Sequence, residues 1–344
     1  MSEDACLVSS TGTATIKELS KVEADLERSL EASRQASWSM FGKRIRFYTP
    51  TFAPYHSADT AFPYSTFPSI SVTGRYCALD CLHCKSKLLN TMIPVSSPEE
   101  LISLSYNLRK KGSLGFLLSG GCLQDGSVPI DRFLDAIAEI KRELQLTIFV
   151  HTGLVDLKIA RKMKRSGVDG ALIDVIGSDE TIREVYNLKG ITVQDYERSL
   201  DALYHSGVPV IPHVLLGLHH GKIGGEYRAL DMISRYSPSV LVIIVLRPIR
   251  GTPMEAVSPP SPREVAQFIV VARRTLKQTP LILGCVRPLG RHKVETDRLA
   301  VLAGVNGVVF PSAEALKTAK SLGLETSFSG YCCAHALLDM RPLS

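Results

Sequence analysis

From residue 70 onward the chain alternates between two hydrophobic patterns. Short β-branched runs are each followed by a turn and then by a longer segment whose charges fall on one side. Eight such runs stand out: "ISVTG" at 70, "GFLLSG" at 115, "LTIFVHTG" at 146, "ALIDVIG" at 171, "VPVIPHVLLG" at 208, "VLVIIVL" at 240, "PLILGC" at 280 and "NGVVFP" at 306. Between them, helical periodicity covers 98–111, 130–143, 155–166, 192–206, 225–236 and 262–277, with a last helix near 312–322. Buried parallel strands joined by right-handed helical crossovers are the packing solution for this alternation, and eight units predict an α/β chain folded as a (β/α)8 TIM-type barrel.

Before the barrel, Leu19, Val22, Leu26 and Leu30 recur at helical spacing and predict an amphipathic helix from Ile16 to about Ala36. The segment from Phe47 to Phe67 is rich in proline and aromatic residues. Its prolines forbid a long helix, so it reads as an ordered lead-in packed on the barrel. The expected organisation is a lead-in over 1–69, the barrel over 70–323 and a short tail over 324–344 that carries Cys332 and Cys333.

Composition changes this picture in three ways. The longest apolar runs are far too short to cross a bilayer, and the N-terminus lacks a basic-then-apolar signal pattern, so a cytoplasmic, non-membrane protein is expected. A formal charge of +6 is spread along 344 residues without a basic tract, which argues against a nucleic-acid partner. Eight cysteines without a secretory segment point to a reducing compartment, where clustered thiols hold metal or do redox chemistry.

The cluster is "GRYCALDCLHCK", in which Cys77, Cys81 and Cys84 follow the first strand with CxxxCxxC spacing. Three thiolates in a loop at the barrel mouth suit three corners of a [4Fe-4S] cube, leaving the fourth iron without a protein ligand. A structural zinc site completed by His83 or a distant ligand is the alternative, in which case the chain would be a zinc-stabilised binding barrel and no enzyme.

The motif "CALDCLHC" resembles the signature of the radical S-adenosylmethionine (SAM) superfamily, with His83 where that family places a ring, and "LLSGGC" at 117–122 resembles its glycine segment after the second strand. The resemblance implies a SAM-binding [4Fe-4S] cluster on Cys77, Cys81 and Cys84. SAM would chelate the open iron, its amino group held near Ser119, Gly120 and Gly121, and reductive cleavage would release a 5′-deoxyadenosyl radical. "LRPIRGTPM" and "AGVNGVVF" are similar to biotin synthase, whereas the second-cluster spacing of that enzyme and the Arg it carries beyond Asp174 are absent. "SGGCLQDGSVPI", "VHTGLV", "PHVLLGLHHGKIGGE" and "LGCVRPLG" look like the two-component lipoyl synthases. That likeness implies sulfur insertion at C6 or C8 of an octanoyl-lysine on a lipoyl carrier domain. It also implies a paralogous radical SAM subunit as heterodimer partner and an external electron donor such as ferredoxin. Methylation or rearrangement in another biotin synthase-like enzyme of cofactor biosynthesis is the rival reading.

Sulfur insertion needs a donor, and Cys122, Cys285, Cys332 and Cys333 are the candidates for ligands of an auxiliary Fe-S cluster, against the plainer role of buried small hydrophobes. By resemblance Asp174 sits near the SAM ribose, against the alternative of a helix N-terminal acceptor. His151, His213, His219 and His220 are candidates for contact with SAM or substrate, although a strand-end His is more often simply hydrogen-bonded. Glu226 is expected to open a helix. Arg247 and Arg287 suit either steering of a carboxylate or surface pairing.

Overall fold

The computed structural model describes residues 26–50 and 66–343. The part of the expected first helix over 16–25 and most of the aromatic lead-in lie outside the described residues. The described chain opens with α1 (Leu26–Phe41) and β1 (Arg44–Tyr48), then β2 (Ser69–Ser71), β3 (Ile93–Pro94), α2 (Pro98–Lys110), β4 (Gly115–Ser119), α3 (Leu134–Leu144) and β5 (Thr147–His151). It continues through α4 (Leu157–Arg165), β6 (Gly170–Asp174), α5 (Asp179–Glu184), α6 (Val193–Ser206), β7 (Val210–Leu216), α7 (Glu226–Ser234) and β8 (Leu241–Val245). The last elements are α8 (Pro262–Thr275), β9 (Leu281–Leu283), α9 (Arg291–Leu302), β10 (Gly307–Val309), α10 (Ala313–Ser321), β11 (Glu325–Ser329) and α11 (Ala336–Asp339).

All eight expected strands form, and each pairs in parallel with its neighbour, so the sheet runs β11-β1-β10-β9-β8-β7-β6-β5-β4-β2-β3. Helices surround it in a TIM-type α/β fold. Central strands such as Leu241–Val245 are buried along their whole length because crossover helices cover one face and the barrel interior fills the other. Helix starts follow local chemistry. Ser261 and Glu264 form a capping box ahead of α8, with Pro262 in the first turn, and Asp156 caps α4 through Ile159 N.

Three strands go beyond the expected eight. β1 inserts between β10 and β11, and β3 extends the other edge. β1 carries the start of the lead-in into the sheet, and β11 does the same for the tail. The tail is then fastened by Asp339, which pairs with Arg46 at 3.1 Å and His335 at 3.0 Å, while the Tyr331 and His335 rings stack at 3.7 Å.

Arg287, expected at the surface or toward a substrate, is instead only 1% exposed and paired with Asp297, which is fully buried. Its Nε donates to Asp297 Oδ1 at 2.6 Å, and its other nitrogens donate to the carbonyls of Gly284, Val309 and Phe310. Lys293 and the Ser312 amide complete the carboxylate. This clamp ties the ends of β9 and β10 to α9. Arg247 is exposed, and Glu226 does open α7, accepting from the amides of Gly217 at 2.8 Å and Gly224 at 2.7 Å.

Candidate functional site

The cysteine loop follows β2 and is wound by consecutive tight turns. The amides of Cys84 and Lys85 donate to the Cys81 carbonyl and Lys87 N donates to the Cys84 carbonyl, with Asp80, Lys85 and Ser86 at positive φ. A loop wound this tightly turns successive side chains to one side. The donor atoms of Cys81, His83 and Cys84 lie within 4.8 Å of one another, and Cys77 lines the same cavity. The Cys81 thiol, with His83 beside it, holds Cys84 well below the ordinary thiol range. The same hydrogen bond and burial push Cys81 up. One of the two is thus primed as a thiolate, the form that binds iron.

Two segments hold this loop in place. After β4, Gly121 N donates to Thr73 Oγ1 at 2.7 Å, Thr73 Oγ1 donates to Tyr76 O, and Ala78 N donates to Cys122 O. Gly121 is required there, because a Cβ would stand 2.0 Å from Tyr76 O and 2.6 Å from Cys77 Cα. From the other side, Leu82 N donates to Val185 O, Asn187 Nδ2 to Leu79 O, and the Cys81 thiol to Tyr186 O at 3.6 Å. The Tyr186 ring packs on His83 at 5.3 Å.

At the ends of β5 and β6, His151 Nε2 faces Asp174 Oδ1 at 3.5 Å. Burial works against the charge on both groups, but each outweighs it for the other: His151 is raised, and Asp174 is held down at about 2. His213, on β7 beside Asp174, presents its ring edge-on to His151 at 5.6 Å.

The remaining thiols divide. Cys122, expected among the auxiliary ligands, stands beside the trio: burial and the neighbouring Cys77 push its pKa up to about 12, and Asp174 and Cys84 add to the effect. Cys285 follows β9, and its pKa is pushed up to about 12 by burial and by Cys333. Cys332 and Cys333, carried in from the tail, are buried, and the neighbouring Cys332 thiol together with burial pushes the Cys333 thiol up.

A cavity of about 350 Å³ collects both thiol groups, His83, Ser119, Gly120, Gly121, the His151–Asp174 pair and His213. Two tyrosines that sequence reading missed, Tyr186 and Tyr196, also line it. Tyr196 lies among the buried residues of α6, where an aromatic side chain reads as core, and Tyr186 follows the six-residue α5. His219, His220 and Glu184 form a separate cluster outside that lining, with His219 Nδ1 3.2 Å from Thr181 Oγ1. A larger concavity of about 900 Å³ on the outer face, between α4 and α6, contains neither thiol nor imidazole.

A parallel TIM-type sheet whose first crossover loop turns three thiols into a central cavity defines a class: a barrel with a metal-binding type of site at its mouth. Residues 71–222 match the family model of the Radical SAM superfamily. The biotin synthase of Leptothrix cholodnii is 25% identical over 254 residues, 72% of this chain and 71% of that protein. The mitochondrial biotin synthase of Arabidopsis thaliana is 23% identical over 310 residues, 84% and 79% of the two chains. Among solved structures, methylornithine synthase superposes with a TM-score of 0.61 over 91% of this chain and 93% of its own, at 18% identity. A FeFe-hydrogenase maturase from Carboxydothermus hydrogenoformans reaches 0.63 over 91% and 75%, at 16% identity. At those identities the structures speak for the fold alone.

Residues 71–222 thus carry a radical SAM domain, and the chain is related to the biotin synthases. The family implies a [4Fe-4S] cluster and SAM, which sets aside the zinc-stabilised binding barrel. The residues fit that requirement. Three thiol side chains face one cavity, and His83, which lines the same cavity, has a buried Nδ1 with no hydrogen-bond partner. No helix among the described residues is long and apolar enough to cross a membrane.

Proposed function

We propose that this enzyme inserts sulfur, as one component of a two-subunit lipoyl synthase acting at C6 or C8 of a protein-bound octanoyl-lysine. Cys77, Cys81 and Cys84 hold the [4Fe-4S] cluster, which with SAM supplies the chemistry of hydrogen abstraction from an unactivated carbon. The backbone of Ser119, Gly120 and Gly121 approaches the SAM amino group, and Asp174, oriented by His151, accepts from the ribose hydroxyls. Cys285, Cys332 and Cys333 hold an auxiliary Fe-S cluster as the sulfur source, while Cys122 braces the trio.

The observation that carries this reading is the second group of thiols opening on the same cavity as the first. A radical SAM enzyme that methylates or rearranges its substrate has no need of it. The apolar walls, including Leu89, Val128, Leu172 and Ile244, suit an acyl chain and exclude water that would quench a radical. The relationship to the biotin synthases supports sulfur chemistry in general. The proposed partners are a second radical SAM subunit, an octanoylated lipoyl carrier domain and a low-potential electron donor in the cytoplasm.

The test is anaerobic incubation with SAM, reductant and an octanoyl-lysine carrier peptide, with and without the second subunit, read by mass spectrometry. Sulfur should appear on the octanoyl chain. Release of 5′-deoxyadenosine with no sulfur-bearing product in either arm removes lipoyl synthesis, and a methylated or isomerised product establishes the rival.

A further inference from the structure

β7 reads "VIPHVLL", a strand buried at every position, and His213 is its single ionisable residue. A strand that lies between two neighbours in the middle of a sheet gains nothing from an imidazole unless the ring has a task. The Nδ1 atom of His213 lies 3.1 Å from the carbonyl oxygen of Ile211. A carbonyl only accepts, so Nδ1 carries the proton, and in the neutral ring Nε2 keeps its lone pair. Metal-binding histidines are fixed in the same way, by a hydrogen bond from the nitrogen that does not bind.

The surroundings of the ring narrow what that lone pair is for. His151 and Asp174 face each other at 3.5 Å, with a ring nitrogen of His213 within 4.8 Å of both. Cys285, Cys332 and Cys333 line the same cavity as the His213 ring. This group supplies three thiols; Cys77, Cys81 and Cys84 form the trio, and the backbone of Cys122 is tied to the trio's loop, its carbonyl accepting from Ala78 N.

We propose that His213, through Nε2, is the fourth protein ligand of the auxiliary cluster held by Cys285, Cys332 and Cys333. The proposal rests on the auxiliary-cluster reading above. A neutral imidazole in place of a thiolate leaves that cluster less negative and raises its reduction potential, as imidazole ligation does in other iron-sulfur centres.

The experiment uses the full-length chain carrying Cys77→Ala, Cys81→Ala and Cys84→Ala, reconstituted anaerobically with iron and sulfide, so that any remaining cluster is the auxiliary one. Histidine is labelled with 15N in the imidazole, and the reduced protein is studied by pulsed EPR beside an unlabelled sample, with Mössbauer spectra to count irons. The expected result is a cluster whose nitrogen coupling changes with the label. His213→Cys should keep the cluster, lose the coupling and shift the potential downward, and Cys122→Ala should alter neither.

A chain that retains no iron once the trio is removed overturns the auxiliary-cluster reading itself. A cluster that forms but shows no label-sensitive coupling, and whose potential His213→Cys leaves unmoved, overturns the histidine ligand alone. A mononuclear iron that Asp174→Asn removes as fully as His213→Ala does would place the metal on His151, Asp174 and His213, and would also overturn the proposal. Should His213→Ala fail to fold, the isotope comparison on the unsubstituted histidine decides by itself.

Discussion

Two polar clusters sit inside this barrel, and they are built on opposite rules. In the clamp around Asp297, the carboxylate receives Arg287, Lys293 and the Ser312 amide, and the remaining Arg287 donors reach three carbonyls. At the mouth, thiols crowd one another, His83 Nδ1 is buried without a partner, and Asp174 meets only an imidazole at 3.5 Å. Buried polar groups are ordinarily satisfied. Completing a network internally holds strand ends together, whereas leaving one incomplete keeps its donor and acceptor capacity for a ligand. The clamp is therefore structural and the mouth functional, although both are rich in ionisable side chains.

The largest effect separates them outright. Replacing Cys77, Cys81 and Cys84 together by Ala should abolish SAM cleavage and remove one cluster's iron. The urea-unfolding midpoint of the metal-free protein should move little, because backbone hydrogen bonds carry most of the loop's attachments and the thiols supply one, from Cys81 to Tyr186 O. A large fall in that midpoint would erase the distinction between clamp and mouth. Asp297→Ala should do the reverse and leave Arg287 buried without its counter-charge, at a cost of about 3–5 kcal/mol in urea unfolding. Residual folded protein should still take up iron at the trio. Loss of the cluster without loss of stability would contradict the structural role.

Between these extremes, Gly121→Ala tests whether the close approach of the two loops serves the site. The added methyl meets Tyr76 O and Cys77 Cα, so backbone must yield, at about 1–3 kcal/mol. The displacement falls on Cys77, and iron content and SAM cleavage should drop more than the melting temperature does. Equal iron and full cleavage activity would show that the trio's loop tolerates the shift.

How much of this contrast could be read from the chain depends on what each residue type advertises. The eight central strands were legible because doubly covered parallel strands need β-branched runs. "ETSFS" was not, since as the sheet-edge strand β11 it keeps Glu325 and Thr326 exposed. β1, "RIRFY", was obscured by the proline-rich stretch that follows. Helix α9 was missed because its buried side includes Thr296 and Asp297, which break the apolar stripe. The trio was legible from spacing alone. The place of the other cysteines was not, because it depends on β11 bringing the tail across to β1 and Cys332 and Cys333 to the cavity that His213 lines. Burial of Arg287 was likewise hidden: a charged residue after a strand reads as surface until its carboxylate partner ten residues on is placed beneath it.

The smallest expected effect sharpens the comparison most. The His151–Asp174 pair is an ion pair like the clamp, yet its side chains are 23% and 31% exposed to the cavity. Solvent screening then limits its contribution to about 0–1 kcal/mol. Asp174→Asn should accordingly destabilise the apo-protein far less than Asp297→Ala. Its pH dependence has a definite sign. Asp174 is lowered to about 2, so its contribution is present above the unfolded carboxyl value of about 3.9 and lost as pH falls toward 2. His151 is raised, so its contribution is complete below the unfolded imidazole value of about 6.5 and lost as pH rises through the folded value. The pair therefore stabilises the fold from about pH 4 to about pH 6.5, and the gap between wild-type and Asp174→Asn melting temperatures should be widest there and close in mild alkali. A gap that widens in alkali would mean that Asp174 is held by something other than protonated His151. Binding of a SAM analogue should weaken in the same variant at every pH, because the mouth keeps this carboxylate for its ligand and the fold draws little from it.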